Sequence, residues 1–153
     1  MIYLDHAATS FPKPQPVVDE VARFLREEAG NPGRGGYRLV RAAEARLARV
    51  RGQLARFVGG GCPDHMVFTY SATDGLNIAI KGVVRPGDRV VTDALAHNSI
   101  GRPLRHAAQA GHVDLVVLTP PNADGILDPR QVADALADRP ARLVGIVHAS
   151  NVL

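Results

Sequence analysis

The amino-acid sequence predicts an α/β fold, a three-layer α/β/α arrangement around a mostly parallel sheet. From residue 61 onward, short apolar runs alternate with longer segments in which apolar residues recur at helical spacing. Such short apolar runs are typical of parallel strands that helices cover on both faces. The 153 residues and their 46% hydrophobic content suffice for one ordinary domain with a buried core. We expect residues 1–60 to form an N-terminal loop and two helices, and residues 61–153 to form the α/β part.

Two helices are predicted in the N-terminal part. A loop with three prolines leads into the segment VVDEVARFLREEAG, whose apolar residues have helical spacing and which Gly30 and Asn31 end. The glycine-rich connector NPGRGG precedes the second predicted helix, YRLVRAAEARLARVRGQLARFVGG. The apolar stripe of this second helix consists of Leu39, Ala43, Leu47, Val50, Leu54 and Phe57.

Four strands and three helices are predicted in the α/β part. The strand segments are HMVFTY, GDRVVTD, VDLVVLTP and ARLVGIVHAS, and the helix segments are TDGLNIAIKGVV, SIGRPLRHAAQAG and DPRQVADALAD. Asp128 is a plausible N-cap of the last helix, with Pro129 at its first position. Ligands of open α/β sheets bind beyond the carboxyl ends of the strands, so polar residues that follow strands are site candidates.

Three groups of candidates follow strands. Ser71, Ala72 and Thr73 open a helix, whose N-terminal N–H groups and partial positive charge suit a phosphate, although Ser71 or Thr73 could serve only as a cap. His97 offers a flat ring that stacks on an aromatic cofactor and exchanges protons near neutral pH, or it is a loop histidine bonded to backbone. Asn151 could donate a hydrogen bond to a ring oxygen, or it is a turn residue.

Composition and charge exclude several classes of function. The formal net charge is +3, and the arginines between residues 41 and 56 recur at helical spacing around Glu44, which indicates a solvated helix face rather than a nucleic-acid site. The single cysteine, Cys62, excludes a disulfide framework and multi-cysteine metal sites, and it suits a reducing compartment. No signal peptide and no apolar run of about 20 residues is visible. We expect a cytoplasmic protein that binds no metal, nucleic acid or membrane.

Six segments, in order along the whole chain, carry a resemblance to a known family. They are YLDHAATSFPKP, GNPGRGGY, FTYSATDGLNIAIKG, PGDRVV, AHNSIGRPL and VHASNV. Together they resemble the class V aminotransferases, which are pyridoxal-phosphate enzymes, and within that family the cysteine desulfurases and selenocysteine lyases. The resemblance implies the N-terminal part of the large domain of a fold type I transferase, with pyridoxal 5′-phosphate as cofactor.

The resemblance also assigns roles to individual residues. Ala72 and Thr73 match positions that bind the cofactor phosphate. His97 matches the catalytic histidine that stacks on the pyridine ring and takes part in proton transfer. Asn151 matches the asparagine near the phenolic oxygen of the ring, and Ala7, in the stretch DHAAT, matches the residue nearest the substrate.

For a complete enzyme, the resemblance implies conversion of L-cysteine to L-alanine with transfer of persulfide sulfur, a homodimer and a sulfur-acceptor protein as partner. In the family the lysine that anchors the cofactor, the aspartate at the pyridine nitrogen and the sulfur-accepting cysteine lie beyond the asparagine motif. We therefore expect a fragment of a longer enzyme that is inactive alone. Ala96 also stands where many relatives carry an acidic residue.

Alternatives to this function remain open at the level of the sequence. Another class V reaction is possible, either amino transfer, epimerisation or selenocysteine lysis. A different class of function is a non-catalytic module that binds a phosphorylated ligand or pairs with a second polypeptide.

Overall fold

The computed structural model describes residues 2–150, which fall into two compact units, residues 2–68 and residues 69–150. The boundary between the units follows Phe68. The sequence-based division after residue 60, and the assignment of both parts to one domain, stay predictions. Each unit is described by itself below.

The first unit contains the two predicted helices. α1 spans Gln15–Glu27 and α2 spans Arg38–Phe57, and a single 3-10 turn follows at Pro63–His65. Proline at the start of α1 is tolerated because the first N–H groups of a helix have no intrahelical acceptor. The last residue of α1 lies before Gly30 and Asn31, as the helix-ending residues predict.

The buried side of α2 differs from the predicted stripe towards its C-terminal end. Ala43 is buried, but Phe57 is 88% exposed and Leu54 is 40% exposed. Val40 and Ala55, which lie outside the predicted stripe, are buried instead. Helical periodicity identifies the residues that share a face, whereas burial requires another element against that face.

Four charged side chains link α1 to α2. Arg46 of α2 forms ion pairs with Glu20 and Glu28, and Arg23 of α1 bonds to the same two carboxylates. Because the Arg46 side chain is only 19% exposed, the expectation that the arginines of this helix form a solvated face is wrong at this position.

The second unit consists of three strands and three helices in alternation. In chain order they are α3 Ala72–Val83, β1 Arg89–Asp93, α4 Asn98–Gln109, β2 Asp114–Leu118, α5 Pro129–Asp138 and β3 Leu143–Gly145. Three predicted helices and three predicted strands are therefore confirmed. Asp128 caps α5 as expected, because its carboxylate accepts a hydrogen bond from the N–H of Arg130 at 2.9 Å.

The three strands are parallel and lie in the order β2-β1-β3. The chain passes from β1 through α4 to β2 on one side, and then through α5 across β1 to β3 on the other side. Right-handed crossovers that run in opposite directions place α4 and α5 on opposite faces of the sheet. The switch point of this topology lies between the carboxyl ends of β1 and β3, which is where ligands bind in such sheets.

The core of the second unit lies between the sheet and the pair α3 and α4. Ile80, Val90 and Leu104, one each from α3, β1 and α4, form a buried cluster. Leu115 and Leu143 pack against it, and both are in register with Val90 on the neighbouring strands. The face of β1 that carries Val90 therefore fixes α3 and α4 relative to the strand ends.

The first predicted strand, HMVFTY, is not a strand in the structure. Within the described residues, 66–69 have no strand partner, and the apolar side chains of this segment are exposed, Val67 to 75% and Tyr70 to 103%. The prediction of a buried strand here is wrong because a β-strand exists only through hydrogen bonds to a neighbouring strand. An apolar run in the sequence does not show whether such a neighbour is available.

Candidate functional site

A groove between α3 and α4 brings two of the predicted site residues together. Thr73, in the first turn of α3, and His97, directly before α4, both line this cavity of about 720 Å³, which we call the α3–α4 groove. α3 and α4 are in contact. α3 precedes β1 in the chain, and α4 follows the carboxyl end of β1. Two residues 24 positions apart in the sequence thus share one concave surface.

The first turn of α3 has hydrogen-bond donors without acceptors among the described residues, and Thr73 of this turn lines the groove. Ser71 is the N-cap, and its Oγ accepts a hydrogen bond from the N–H of Asp74 at 3.1 Å. The capping alternative is therefore confirmed for Ser71. Among the described residues, the N–H groups of Ala72 and Thr73 have no acceptor, nor does the Thr73 hydroxyl have a partner. This set of unsatisfied donors at a helix N-terminus is suited to an oxyanion. Ala72 belongs to this turn but does not line the groove.

His97 is the N-cap of α4, a role that the sequence did not predict. Its Nδ1 accepts a hydrogen bond from the N–H of Ser99 at 3.2 Å and lies 2.6 Å from Oγ of the same serine. An accepting Nδ1 corresponds to the neutral tautomer with its proton on Nε2. The alternative of a histidine bonded to backbone therefore holds for Nδ1, whereas Nε2 remains available to a ligand.

The rim of the α3–α4 groove is positively charged. Lys81, Arg85 and Arg102 line it, no carboxylate does so, and these three cations form no ion pair within the described part of the chain. Such a surface favours an anionic ligand. The sequence analysis missed this feature because Arg102 lies 17 residues after Arg85 and joins Lys81 and Arg85 only when α3 and α4 pack side by side.

Two predicted site residues, Asn151 and Ala7, are not among the described residues that line the α3–α4 groove. Asn151 lies outside the described residues. Ala7 lies in a turn of the first unit, where the N–H groups of Ala8 and Thr9 donate to the carbonyl of Asp5 and the Tyr3 hydroxyl donates to two carbonyls of the same loop. Ala7 itself is exposed.

Asp93, at the carboxyl end of β1, is a further polar residue that sequence reasoning overlooked. It is 4% exposed, and its two carboxylate oxygens accept hydrogen bonds from the N–H groups of Leu95 and Val147. A buried carboxylate is costly unless its oxygens are bonded, so its presence at a strand end was the available signal.

A second cavity, of about 610 Å³, lies beside the loops that follow β2 and β3. Asp93, His148 and Ser150 line it together with apolar side chains of the loop before α5.

No helix within residues 2–150 combines the length and the apolar character that crossing a membrane requires.

Comparisons with known proteins show which proteins this chain is similar to. A family model described as "Aminotransferase class-V" matches residues 2–153. A "Probable cysteine desulfurase" of Methanothermobacter thermautotrophicus is 36% identical, over 99% of this chain and 37% of its own length. The apo structure of a cysteine desulfurase from Thermococcus onnurineus NA1 is similar with a TM-score of 0.82 and 28% identity, over 98% of this chain and 37% of its own. A chain described as SspA in complex with cysteine has a TM-score of 0.87 and 26% identity, over 100% of this chain and 44% of its own.

The parallel sheet with its helices is consistent with the N-terminal part of a fold type I α/β protein. The chain belongs to the class V aminotransferase family. It spans about 37% of the length of the first curated relatives that it matches, and it corresponds to the N-terminal portion of the family.

Proposed function

We propose that this chain forms part of a pyridoxal-phosphate enzyme of the cysteine desulfurase type, which converts L-cysteine to L-alanine and passes on the sulfur. The observation that carries the proposal is the meeting of Thr73 and His97 in the α3–α4 groove. Names of the curated relatives and of two similar structures support the choice of cysteine as substrate.

The residues present fit the phosphate and ring of the cofactor. The N–H groups of Ala72 and Thr73 and the Thr73 hydroxyl would hold the phosphate, and the cations at the groove rim would favour its charge. The ring of His97 would stack on the pyridine ring. Asn151 would bond near the phenolic oxygen, and Ala7 would lie nearest the substrate.

When bound, the cofactor supplies an electron sink for a carbanion of the amino-acid substrate. This chain contributes binding and proton handling. Because Ser99 donates to Nδ1 of His97, the ring presents its Nε2 proton on the free side and can exchange it there with a bound substrate. A neutral ring is also compatible with a cationic pyridinium, which a charged imidazole would repel.

Neither lysine of the chain lies in the sequence context of the family's covalent anchor, which follows the asparagine motif. Lys13 donates to Thr9 and to the carbonyl of Ser10 in the N-terminal loop. Lys81 lies eight residues after Thr73 on α3, or about 12 Å along the helix axis. We therefore propose that the 153-residue polypeptide alone produces no alanine from L-cysteine, and sustained alanine formation with added cofactor would contradict this.

The proposal extends to assembly and location. A homodimer would complete the active site, a sulfur-acceptor protein would be the partner, and the single Cys62 suits the reducing cytoplasm. Concentration-dependent mass measurements of the active enzyme test the dimer.

Equilibrium dialysis against pyridoxal 5′-phosphate and against pyridoxal tests the site. The wild-type chain should bind the phosphorylated form more tightly. Thr73→Val should weaken binding of pyridoxal 5′-phosphate about tenfold, because a hydrogen bond to a charged group is lost, and should leave binding of pyridoxal unchanged. His97→Gln should weaken both, because stacking is lost.

Matched variants control for general damage to the fold. Thr119→Val removes an exposed hydroxyl just after β2, and His65→Gln changes an exposed histidine of the 3-10 turn, which does not line the groove. Both should bind as the wild type does. Equal affinity for the two ligands, or variants of Thr73 and His97 that bind normally, would refute the proposed site.

A further inference from the structure

The loop that carries His97 is short, and Asp93 determines most of its hydrogen bonds. Only Ala94, Leu95 and Ala96 separate β1 from His97. The N–H of Leu95 donates to Oδ1 of Asp93 at 2.8 Å, and the N–H of Ala96 donates to the Asp93 carbonyl at 3.2 Å. The third N–H, of Ala94, donates to the carbonyl of Leu118 in β2 at 2.8 Å. The path of the backbone to His97 is therefore set at the end of β1.

The same carboxylate also reaches the loop after β3. Oδ2 of Asp93 accepts a hydrogen bond from the N–H of Val147 at 2.7 Å, across the switch point of the sheet. β3 has only three residues in the ladder with β1, so a side-chain contact contributes to fixing where it ends. The segment beyond Val147 leads to His148 and Ser150 and onward to Asn151.

We propose that Asp93 is a positioning residue that holds the His97 loop and the loop after β3 in one fixed arrangement. The assignment of His97 to a cofactor rests on the proposed function, whereas the coupling of the two loops rests on the hydrogen bonds of Asp93. Through this coupling, Asp93 sets the placement of the His97 ring relative to the N-terminus of α3.

The chemistry of a carboxylate is required at this position. Two backbone donors from opposite sides need two acceptors on one buried side chain, and an ionised carboxylate has acceptors only. Asparagine would keep one acceptor and turn its amide N–H groups towards the second donor. Asp93→Asn therefore loses one bond and leaves a buried donor unpaired, with little change in volume.

Thr92 provides a matched control. It is 3% exposed, and its hydroxyl donates to the carbonyl of Gly145 at 2.8 Å, so it also ties β1 to β3. Among the described residues, the Thr92 hydroxyl has no hydrogen bond to the His97 loop. Thr92→Val should therefore loosen β3 as a structural change without moving His97.

The experiment compares the full chain as wild type, Asp93→Asn and Thr92→Val by NMR and by dialysis against pyridoxal 5′-phosphate. In Asp93→Asn, amide exchange at Leu95 or Val147 should be at least about tenfold faster, because a bond to a charged group is lost. The ¹⁵N signature of an accepting Nδ1 on His97 should shift, and affinity for the cofactor should fall about tenfold. Thr92→Val should retain the His97 signature and the affinity.

Each outcome decides the proposal. An unchanged His97 signature in Asp93→Asn, or an equal change in Thr92→Val, overturns it. If the wild type binds no pyridoxal 5′-phosphate, the proposed function fails, while the exchange rates and the His97 signature still decide the role of Asp93. If Asp93→Asn does not fold, Asp93→Ser takes its place, because its hydroxyl can still accept from Leu95. It should protect Leu95 but expose Val147 to exchange, and because the coupling of the two loops is then lost, the His97 signature should shift as it does in Asp93→Asn. Any other pattern contradicts the proposal.

Discussion

At the scale of single residues, Gly30 marks the closest approach of the connector after α1 to the first turn of α2. A Cβ built on Gly30 would lie 2.5 Å from both the carbonyl carbon and the carbonyl oxygen of Leu39, and 2.8 Å from the nitrogen of Val40. These are backbone atoms, which cannot move aside as a flexible side chain would. Gly30→Ala should therefore lower the free energy of unfolding by about 2 kcal/mol or more, measured by urea denaturation.

Gly36 is the matched control for Gly30. It lies in the same glycine-rich connector, yet no atom lies within 4 Å of its Cβ position. Gly36→Ala should leave the stability unchanged or raise it by up to about 1 kcal/mol, because the unfolded chain loses freedom. Equal effects of the two alanines would show that the close contact with α2 is absent in solution.

The site illustrates what single residues reveal in a sequence. Thr73 and His97 were predicted because hydroxyls and imidazoles after strands have a recognisable chemistry, and the structure confirms that both line one groove. Their roles towards a cofactor stay predictions. Asp93 escaped notice because its function depends on an N–H 54 residues away, at Val147, and no local pattern records that contact.

At the scale of elements, the attachment of α1 to α2 depends on charge. α1 buries no residue, and the carboxylates of Glu20 and of Glu28, the residue directly after the helix, contact Arg23 and Arg46. Hydrogen bonds from Arg23 and then Arg46 lower the pKa of Glu20 from 4.5 to about 2, and the same two arginines lower the pKa of Glu28. The folded state therefore stabilises the ionised carboxylates.

The direction of these shifts fixes a pH dependence. A carboxylate with a lowered pKa contributes stability that is fully present above its unfolded pKa and is lost as the pH falls through the folded pKa. For Glu20 that window runs from about pH 4.5 down to about pH 2. Glu20→Gln should melt at a lower temperature than the wild type at pH 7, and the difference should vanish near pH 2, as measured by circular dichroism.

Glu27 provides the control for this pH dependence. Its side chain contacts Arg23 within α1 at 3.3 Å but does not reach α2. Glu27→Gln should therefore follow the wild-type melting curve across the whole pH range. A constant difference between Glu20→Gln and the wild type from pH 7 to pH 2 would contradict the ionic attachment of α1.

The periodicity of apolar residues predicted most helices and strands, but it did not predict which elements pack or pair with one another. All five helices and the strands β1, β2 and β3 coincide with segments of the matching period. HMVFTY had the apolar character of a buried strand, but pairing is a property of two segments, and a single segment carries no information about it. The same limit explains Phe57, which belongs to an apolar stripe and is nevertheless exposed.

At the scale of the whole molecule, the parallel sheet was predictable because short apolar strands alternate with helices, which favours crossovers of one hand. The strand order β2-β1-β3 was not predictable from the sequence, since the pattern gives the order along the chain and not across the sheet. That order places the end of β1 beside the end of β3. It therefore brings Asp93 and Val147 together, which the sequence alone did not indicate.

Exposed apolar side chains predict that the isolated chain associates. Val17, Val21 and Leu25 recur every four residues on α1 and are 52%, 55% and 66% exposed, so they form an uncovered stripe. Sedimentation velocity should show mass that increases with concentration. The double variant Val21→Gln and Leu25→Gln should weaken this association about tenfold or more, because it removes apolar area that association would bury. Arg26→Gln, a polar change on the same helix, should leave it unchanged. A wild-type chain that stays monomeric throughout, or a double variant that associates as the wild type does, would show that this stripe drives no association.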